Sequence, residues 1–332
     1  MRSRLPTESC RGLTLGGRSN RAKDLPDQSK TGDKALKEYD LPGCKCWGGG
    51  LVLADVFDKI RSTIVAFASR VVVTAPGNQP QFPGIIGTGF IVDSRGIVVT
   101  NAHVIEGLQK LPKHPTRSES PALAILMTEV EHKDGTHHLG TLFTSILSYN
   151  LLESFISEGP FYAEKLPDFG FVQLNARDVP FLLLATEPGV LRAGVEIATA
   201  GFPLGTGALT PFQKISQLTP FLRHGIISSV LPFPCPHPHG FTIDIMSQGG
   251  ASGSPIFLPH EPKAVGILHA GFPGSNITYA VPSDIVAKGM AAALEADPPR
   301  VDSVPTLAEL IAQSERSSEL TWESTVIPKP KS

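Results

Sequence analysis

The chain has 332 residues, of which 41% are hydrophobic and 18% are charged, and its formal net charge is -2. This composition is that of a globular protein and excludes a disordered chain. The near-neutral charge gives no reason to expect a nucleic-acid partner, and no stretch is apolar enough to cross a bilayer. The 32 glycines and 30 prolines favour short strands joined by turns, and therefore an all-β fold, over long helices.

The first half of the chain predicts a tail followed by strands. Residues 1–50 are polar and glycine-rich, and we expect them to be irregular or disordered. Residues 53–75 then predict a short helix and a strand. Residues 87–105 predict a β-hairpin, because two apolar runs flank Ser94-Arg95-Gly96. A second hairpin is predicted around Asp134-Gly135.

Residues 148–165 predict an inserted surface loop or helix. Short apolar runs then continue to about residue 282, and this spacing of strands is typical of sandwiches and barrels. Ser283 is expected to cap a helix that extends to about Leu294. Thr306 and Glu309 have the spacing of a capping box for another helix.

A serine between glycines is the candidate nucleophile. In GGASGSPIF, Ser252 lies between Gly250 and Gly253, and small neighbours allow a sharp turn that aims amide N–H groups into one concavity. The N–H groups of Gly250 and Ser252 are therefore the candidate oxyanion donors. Alone, this pattern is equally compatible with an ordinary Gly/Ser turn.

A histidine and an aspartate complete a candidate catalytic triad. His103, in TNAHVI, ends the predicted hairpin, where a rigid scaffold would hold a general base. Asp168 opens the apolar run DFGFVQL and is the preferred acid to orient that base. Asp134 and Asp178 are its rivals, although Asp134 is better explained as a turn residue.

The chain order His103, Asp168, Ser252 separates classes of enzyme. It is the order of chymotrypsin, whereas α/β-hydrolases have Ser-Asp-His and subtilisin has Asp-His-Ser. An α/β-hydrolase elbow also needs G-x-S-x-G, and position 254 is serine. The order therefore predicts a serine endopeptidase that works through an acyl-enzyme.

Five motifs in this order resemble the trypsin-like serine proteases of the HtrA (Deg) type, with glutamyl endopeptidases as more distant relatives: residues 87–105, 168–174, 249–257, 264–271 and 277–285. The resemblance implies a chymotrypsin-like double β-barrel, with His103 and Asp168 from the first barrel and Ser252 from the second. No metal or organic cofactor is implied. A PDZ domain, usual after such a peptidase, is not expected here.

The resemblance also sets the expected domain limits. It implies a trypsin-like peptidase domain over residues 51–290, with barrels at about 58–178 and 179–290. An insertion near 113–165 is also expected, because the 65 positions between His103 and Asp168 exceed the compact linker of that family. Residues 291–332 are then a helical or flexible tail.

The same resemblance implies where the substrate binds. The walls of the primary pocket would be formed by Met246, Leu268, His269, Ala270 and Gly271. Met246 offers no carboxylate, so we expect small or medium apolar side chains at the cleaved position. The strand 267–271 would pair with the substrate backbone.

Some predictions concern activation, partners and location. Ala251 precedes the nucleophile where trypsin-type zymogens have Asp, which argues against their mode of activation. Unfolded or flexible polypeptides are the expected substrates, and homo-oligomers are possible. The cysteines, Cys10, Cys44, Cys46 and Cys235, form no disulfide framework, which favours the cytoplasm. The basic N-terminus leaves a mitochondrial transit peptide as an alternative.

Two further alternatives stay open. Cys235, His237 and His239 alternate and would share one face of an extended segment, although the interleaved prolines favour an exposed loop over a metal site. A catalytically silent, chaperone-like scaffold of the same fold is the alternative function.

Overall fold

The computed structural model describes residues 51–70, 84–113, 120–131, 137–152, 167–205, 218–272 and 274–316. Within these ranges the chain forms thirteen strands and four α-helices. The tail predicted for residues 1–50 and the turn predicted at Asp134-Gly135 lie outside them.

Six antiparallel strands close into a first barrel, in the order β1-β2-β3-β6-β5-β4. The apolar run of β1 is buried along nearly its whole length because β2 and β4 flank it and its side chains pack into two hydrophobic clusters. The region 113–165, predicted to contain an insertion, contributes two of the six strands, β4 and β5. The surface loop or helix predicted from residue 148 was wrong for residues 148–151, which belong to β5, and residues 153–166 lie outside the described ranges. The strands are β1 (Ile64–Ser69), β2 (Ile85–Asp93), β3 (Ile97–Thr100), β4 (Ala122–Glu131), β5 (His137–Leu151) and β6 (Gly170–Leu174).

A second barrel has the strand order β11-β8-β9-β10-β13-β12 and closes where β11 pairs with β12. A short strand, β7 (Leu183–Leu184), adds to β12 in parallel. The prediction of an all-β double barrel is therefore confirmed. The six barrel strands are β8 (Glu196–Gly201), β9 (Phe221–Leu231), β10 (Gly240–Ile243), β11 (Pro255–Leu258), β12 (Glu261–Gly271) and β13 (Thr278–Pro282).

Four helices surround the barrels: α1 (Leu53–Ile60), α2 (Ala102–Gln109), α3 (Ser283–Ala296) and α4 (Leu307–Arg316). The capping box of α4 is confirmed, since Thr306 N–H donates to Glu309 Oε2 at 2.8 Å and Glu309 N–H to Thr306 Oγ1 at 3.1 Å. The predicted cap of α3 was wrong. Ser283 is already helical, and its hydroxyl donates to the carbonyl of Ala185.

One buried cluster contains side chains from both barrels and from the C-terminal helix. Phe90 of β2, Phe257 of β11 and Val286 of α3 belong to it, and all three are fully buried. The barrels therefore share a core. No helix in the described ranges is long and apolar enough to cross a membrane.

Candidate active site

His103 lies in the first turn of α2 rather than at the end of a strand. The second strand of the hairpin ends at Thr100, and Asn101 is extended with φ -73° and ψ 149°. The N–H groups of Val104 and Ile105 both donate to the Asn101 carbonyl, so the chain turns directly from strand into helix. This turn fixes the backbone that carries the imidazole.

Asp168 is held against this turn by three hydrogen bonds. Its Oδ2 lies 2.6 Å from His103 Nδ1, and its Oδ1 accepts the His103 backbone N–H at 3.0 Å. The buried amide of Asn101 donates to the Asp168 carbonyl at 2.7 Å. The carboxylate therefore contacts both the ring and the backbone of the histidine and orients the imidazole.

The electrostatics of the pair follow from these contacts. Burial of Asp168 opposes its ionisation, but hydrogen bonds from His103 and His269 outweigh burial and hold the pKa of the carboxyl well below its usual range. The hydrogen bond to Asp168 raises the pKa of the His103 imidazole, although desolvation acts against it. An ionised carboxylate beside His103 stabilises an imidazolium there.

His269 contacts Asp168, which the sequence did not predict. It was expected to form a wall of the substrate pocket, and its Nδ1 lies 2.7 Å from Asp168 Oδ2. The pairing of β12 with β13 shifts register between Leu268 and Ala270, so His269 is a bulge residue. A bulge can direct a side chain away from its regular position, and here the side chain of His269 contacts the carboxylate of Asp168.

Among the described residues, His103, Asp168 and His269 form the one group of His, Cys, Asp or Glu side chains close enough to hold a metal ion. Their N···O separations of 2.6 and 2.7 Å are those of hydrogen bonds. Two ligands of a tetrahedral zinc ion lie about 3.3 Å apart, which is wider. His237, considered above as a metal ligand, instead contacts Asp284 at 3.1 Å.

Ser252 lies in the turn before β11 and is half-buried. Its carbonyl accepts the N–H of Thr88, from the first barrel, at 2.9 Å. The residues after it are tied to Leu268: Gly253 N–H donates to the Leu268 carbonyl at 3.0 Å, and Leu268 N–H donates to the Ser254 carbonyl at 2.9 Å. The loop that carries Ser252, residues 249–254, is thus fixed by backbone hydrogen bonds to both barrels, and we call it the nucleophile loop after the role predicted for Ser252.

Within the described residues, no hydrogen bond joins the hydroxyl of Ser252 to His103. Catalytic hydrogen bonds are often long without substrate and shorten when it binds. The structure therefore brings together His103 and Asp168 directly, and brings Ser252 to the first barrel through Thr88.

Two glycines give the nucleophile loop its shape. Gly250 has φ +91° and Gly253 has φ +87°, a region that side chains rarely adopt. A Cβ at Gly253 would lie 1.9 Å from the carbonyl oxygen of Thr88, so no other residue fits. In the described part of the chain, the N–H groups of Gly250 and Ser252 donate to no carbonyl, which leaves both available to an oxyanion.

Thr88 of β2 links the two barrels, and sequence reasoning did not single it out. Its hydroxyl donates to the Gly250 carbonyl at 2.7 Å and accepts the Phe202 N–H at 3.1 Å. Its own carbonyl accepts the hydroxyl of Thr100 at 2.6 Å, and its N–H donates to Ser252. One fully buried side chain therefore positions the loop that precedes the nucleophile.

The predicted substrate residues divide into two groups. Met246 and the buried Leu268 line a partly open depression of about 240 Å³ beside the nucleophile loop. Arg223 also lines it, and its guanidinium donates to the Met246 carbonyl. Ala270 and Gly271 lie instead at the end of β12, which pairs there with β13 on one side. Within the described residues, the other side carries no strand.

The sequence matches the family described as trypsin-like peptidase domain over residues 87–267, which is more than half of the chain. It is 23% identical over 274 residues to serine protease HTRA1 of Xenopus laevis, covering 80% of this chain and 48% of that protein. It is 24% identical over 208 residues to pro-apoptotic serine protease NMA111 of Lodderomyces elongisporus, covering 59% of this chain and 16% of that protein. The chain spans about half, or less, of the length of these relatives.

Two solved structures also match the chain. The crystal structure of Deg5 has a TM-score of 0.42 at 19% identity, covering 71% of this chain and 90% of that one. HtrA-type protease AlgW with decapeptide has a TM-score of 0.46 at 16% identity, covering 74% and 68% respectively.

Proposed function

This chain belongs to the trypsin-like peptidase domain family, and we propose that it is a serine endopeptidase whose nucleophile, base and acid are Ser252, His103 and Asp168. The observation that carries the proposal is the hydrogen-bonded pair of His103 and Asp168, at 2.6 Å. Both belong to the first barrel, and the nucleophile loop is tied to that barrel through Thr88.

The reaction would proceed through an acyl-enzyme. His103 Nε2 removes the proton of the Ser252 hydroxyl as its oxygen attacks the peptide carbonyl, and Asp168 stabilises the imidazolium that forms. The N–H groups of Gly250 and Ser252 donate to the negative oxygen. The C–N bond then breaks, His103 gives its proton to the leaving amine, and a water molecule releases the acyl group in the same way.

The proposed substrates are unfolded or flexible polypeptides. The open edge of β12 at Ala270 and Gly271 offers a site for an extended segment to add as a strand. A depression of about 240 Å³ is smaller than most ligand pockets and suits a small or medium apolar side chain. Arg223 lies beside it, but its guanidinium is already engaged by Met246 and, at 3.4 Å, by Gln248.

Replacing the nucleophile tests the proposal. We expect Ser252→Ala to lower the hydrolysis of unfolded casein on the order of 10⁶-fold, because the hydroxyl proposed to form the acyl-enzyme is lost. The control Ser228→Ala changes an exposed serine of β9 and should keep wild-type rates. A fluorophosphonate probe should label the wild type at Ser252.

Two results would contradict the proposal. Equal casein hydrolysis by Ser252→Ala and the wild type would exclude Ser252 as the nucleophile. A wild-type protein that binds casein but takes up no fluorophosphonate would favour a silent scaffold instead.

A further inference from the structure

We propose that Ser254 is a positioning residue whose hydroxyl fixes the direction of the Ser252 N–H group for the oxyanion. This inference rests on the roles proposed above for Ser252 and Gly250 and adds a residue to that same site. In the sequence, the serine at position 254 excludes the elbow of α/β-hydrolases, and no motif gives it a role in catalysis.

Ser254 lies directly before β11 and is 1% exposed. Its hydroxyl donates to the Ala251 carbonyl at 2.6 Å, and its backbone N–H donates to the same carbonyl at 3.0 Å. A carbonyl oxygen has two lone pairs, so it can accept both hydrogen bonds at once. Ser254 therefore fills both acceptor sites of the Ala251 carbonyl.

The Ala251 carbonyl and the Ser252 N–H group belong to one peptide unit. This unit is trans and planar, so the two groups point in opposite directions. The N–H group cannot turn away from an oxyanion unless the carbonyl also turns away from both donors of Ser254. The hydroxyl of Ser254 therefore fixes the direction of an N–H group that it does not contact.

The second candidate oxyanion donor is fixed in a similar way. The N–H group of Gly250 shares a peptide unit with the Gly249 carbonyl, which accepts the N–H of Leu204 at 2.6 Å. Leu204 has φ +62°, a conformation that side chains rarely adopt, and it is 56% exposed. The Gly250 unit is thus held by the backbone alone, whereas the Ser252 unit is also held by a side chain.

The fold provides space for this hydroxyl at Gly201 of β8. A Cβ at Gly201 would lie 2.0 Å from Ser254 Oγ. The backbone of Ser254 is held separately, because its carbonyl accepts the Leu268 N–H at 2.9 Å. Removing the hydroxyl should therefore leave the turn folded.

Two matched variants separate positioning from a merely structural role. Ser254→Ala removes the hydroxyl and keeps the Cβ and the backbone. Ser283→Ala is the control, because Ser283 is 2% exposed and also donates its hydroxyl to a backbone carbonyl, that of Ala185, outside the nucleophile loop. The measurements are kcat and KM for fluorescent casein and the melting temperature.

We expect Ser254→Ala to lower kcat about tenfold, because one of two hydrogen bonds to the Ala251 carbonyl is lost. KM should stay nearly unchanged, and Ser283→Ala should lose a similar amount of melting temperature but keep the wild-type kcat. An equal fall of kcat in both variants would overturn the inference. Ser254 also borders the depression beside the nucleophile loop, so a higher KM with unchanged kcat would indicate a role in that depression and would overturn it as well.

A second measurement does not need an active enzyme. Residual dipolar couplings report the directions of N–H bonds, and Ser254→Ala should change the coupling of Ser252 while leaving that of Gly250. An unchanged coupling at Ser252 would overturn the inference even if kcat falls. A wild-type protein that does not hydrolyse casein, with the couplings changed as expected in Ser254→Ala, would instead contradict the proposed function alone.

Discussion

In the first barrel, His103 and Asp168 are held by hydrogen bonds that their side chains make, whereas in the second barrel Ser252 is held by the conformation of its backbone. The carboxylate has three donors within 3.0 Å. The nucleophile loop instead depends on glycines with positive φ and on carbonyls bound by neighbouring strands.

If Ser252, His103 and Asp168 act as proposed, the two barrels contribute differently to catalysis. The first barrel sets the charge beside the imidazole of His103, so a substitution of these residues should change the pH profile and leave the fold intact. The second barrel sets the backbone geometry of the nucleophile loop, so a substitution in that loop should lower the rate at every pH and also reduce the stability of the protein.

Asp168→Asn should have the largest effect of the three, a fall in kcat/KM of about 10⁴-fold. Without the negative charge, the pKa of His103 should fall, because the hydrogen bond to Asp168 raises it in the wild type. The acid limb of the pH profile should therefore move to lower pH, which steady-state kinetics across pH would measure.

The matched control is Asp178→Asn, since Asp178 is an exposed acid whose left-handed backbone Asn also tolerates. It was the rival candidate for the acid of the triad. A large loss in Asp178→Asn with none in Asp168→Asn would reverse the assignment.

Gly253→Ala should come second. The positive φ and a Cβ that would lie 1.9 Å from the Thr88 carbonyl oxygen should together destabilise the loop conformation by about 3 kcal/mol. The rate of hydrolysis should therefore fall about 10²-fold. The loss should be the same across pH, and the melting temperature should fall. In Gly249→Ala the new Cβ meets nothing within 4 Å, so wild-type rates are expected there. Equal behaviour of the two variants would show that the loop is not rigid.

Thr88→Val should have the smallest effect, about a tenfold loss of kcat/KM. Valine has nearly the same shape but leaves the Gly250 carbonyl and the Phe202 N–H without the hydroxyl. Thr88→Ser keeps that hydroxyl and should restore most of the activity. If both variants labelled Ser252 as fast as the wild type, Thr88 would have no role in positioning the loop.

The sequence predicted what local patterns encode. Short apolar runs broken by turns predicted a sandwich or barrels, and the resemblance to HtrA-type proteases implied that there are two barrels. The capping box of α4 followed from Thr306 and Glu309. Helix α2 was missed because Val104 and Ile105 are β-branched residues that favour strands. Burial of both side chains, which depends on the folded barrel, outweighs that preference.

Contacts between distant segments could not be predicted in this way. In the sequence, Thr88 is one polar residue within a predicted strand. Its hydrogen bond to the Gly250 carbonyl forms only when the second barrel packs against the first. His269 reads as a pocket residue, because the bulge that directs it to Asp168 depends on the register of β12 with β13.

Leu268 and His269 are consecutive in β12, yet one is bonded to the nucleophile loop and the other to the acid. The loop that carries Ser252 and the carboxylate of Asp168 are therefore both bonded to two consecutive residues of one strand. In slow motions of one barrel relative to the other, Ser252 and Asp168 should move together. The distance between these two residues should therefore vary less than the distance between the surrounding surfaces of the two barrels.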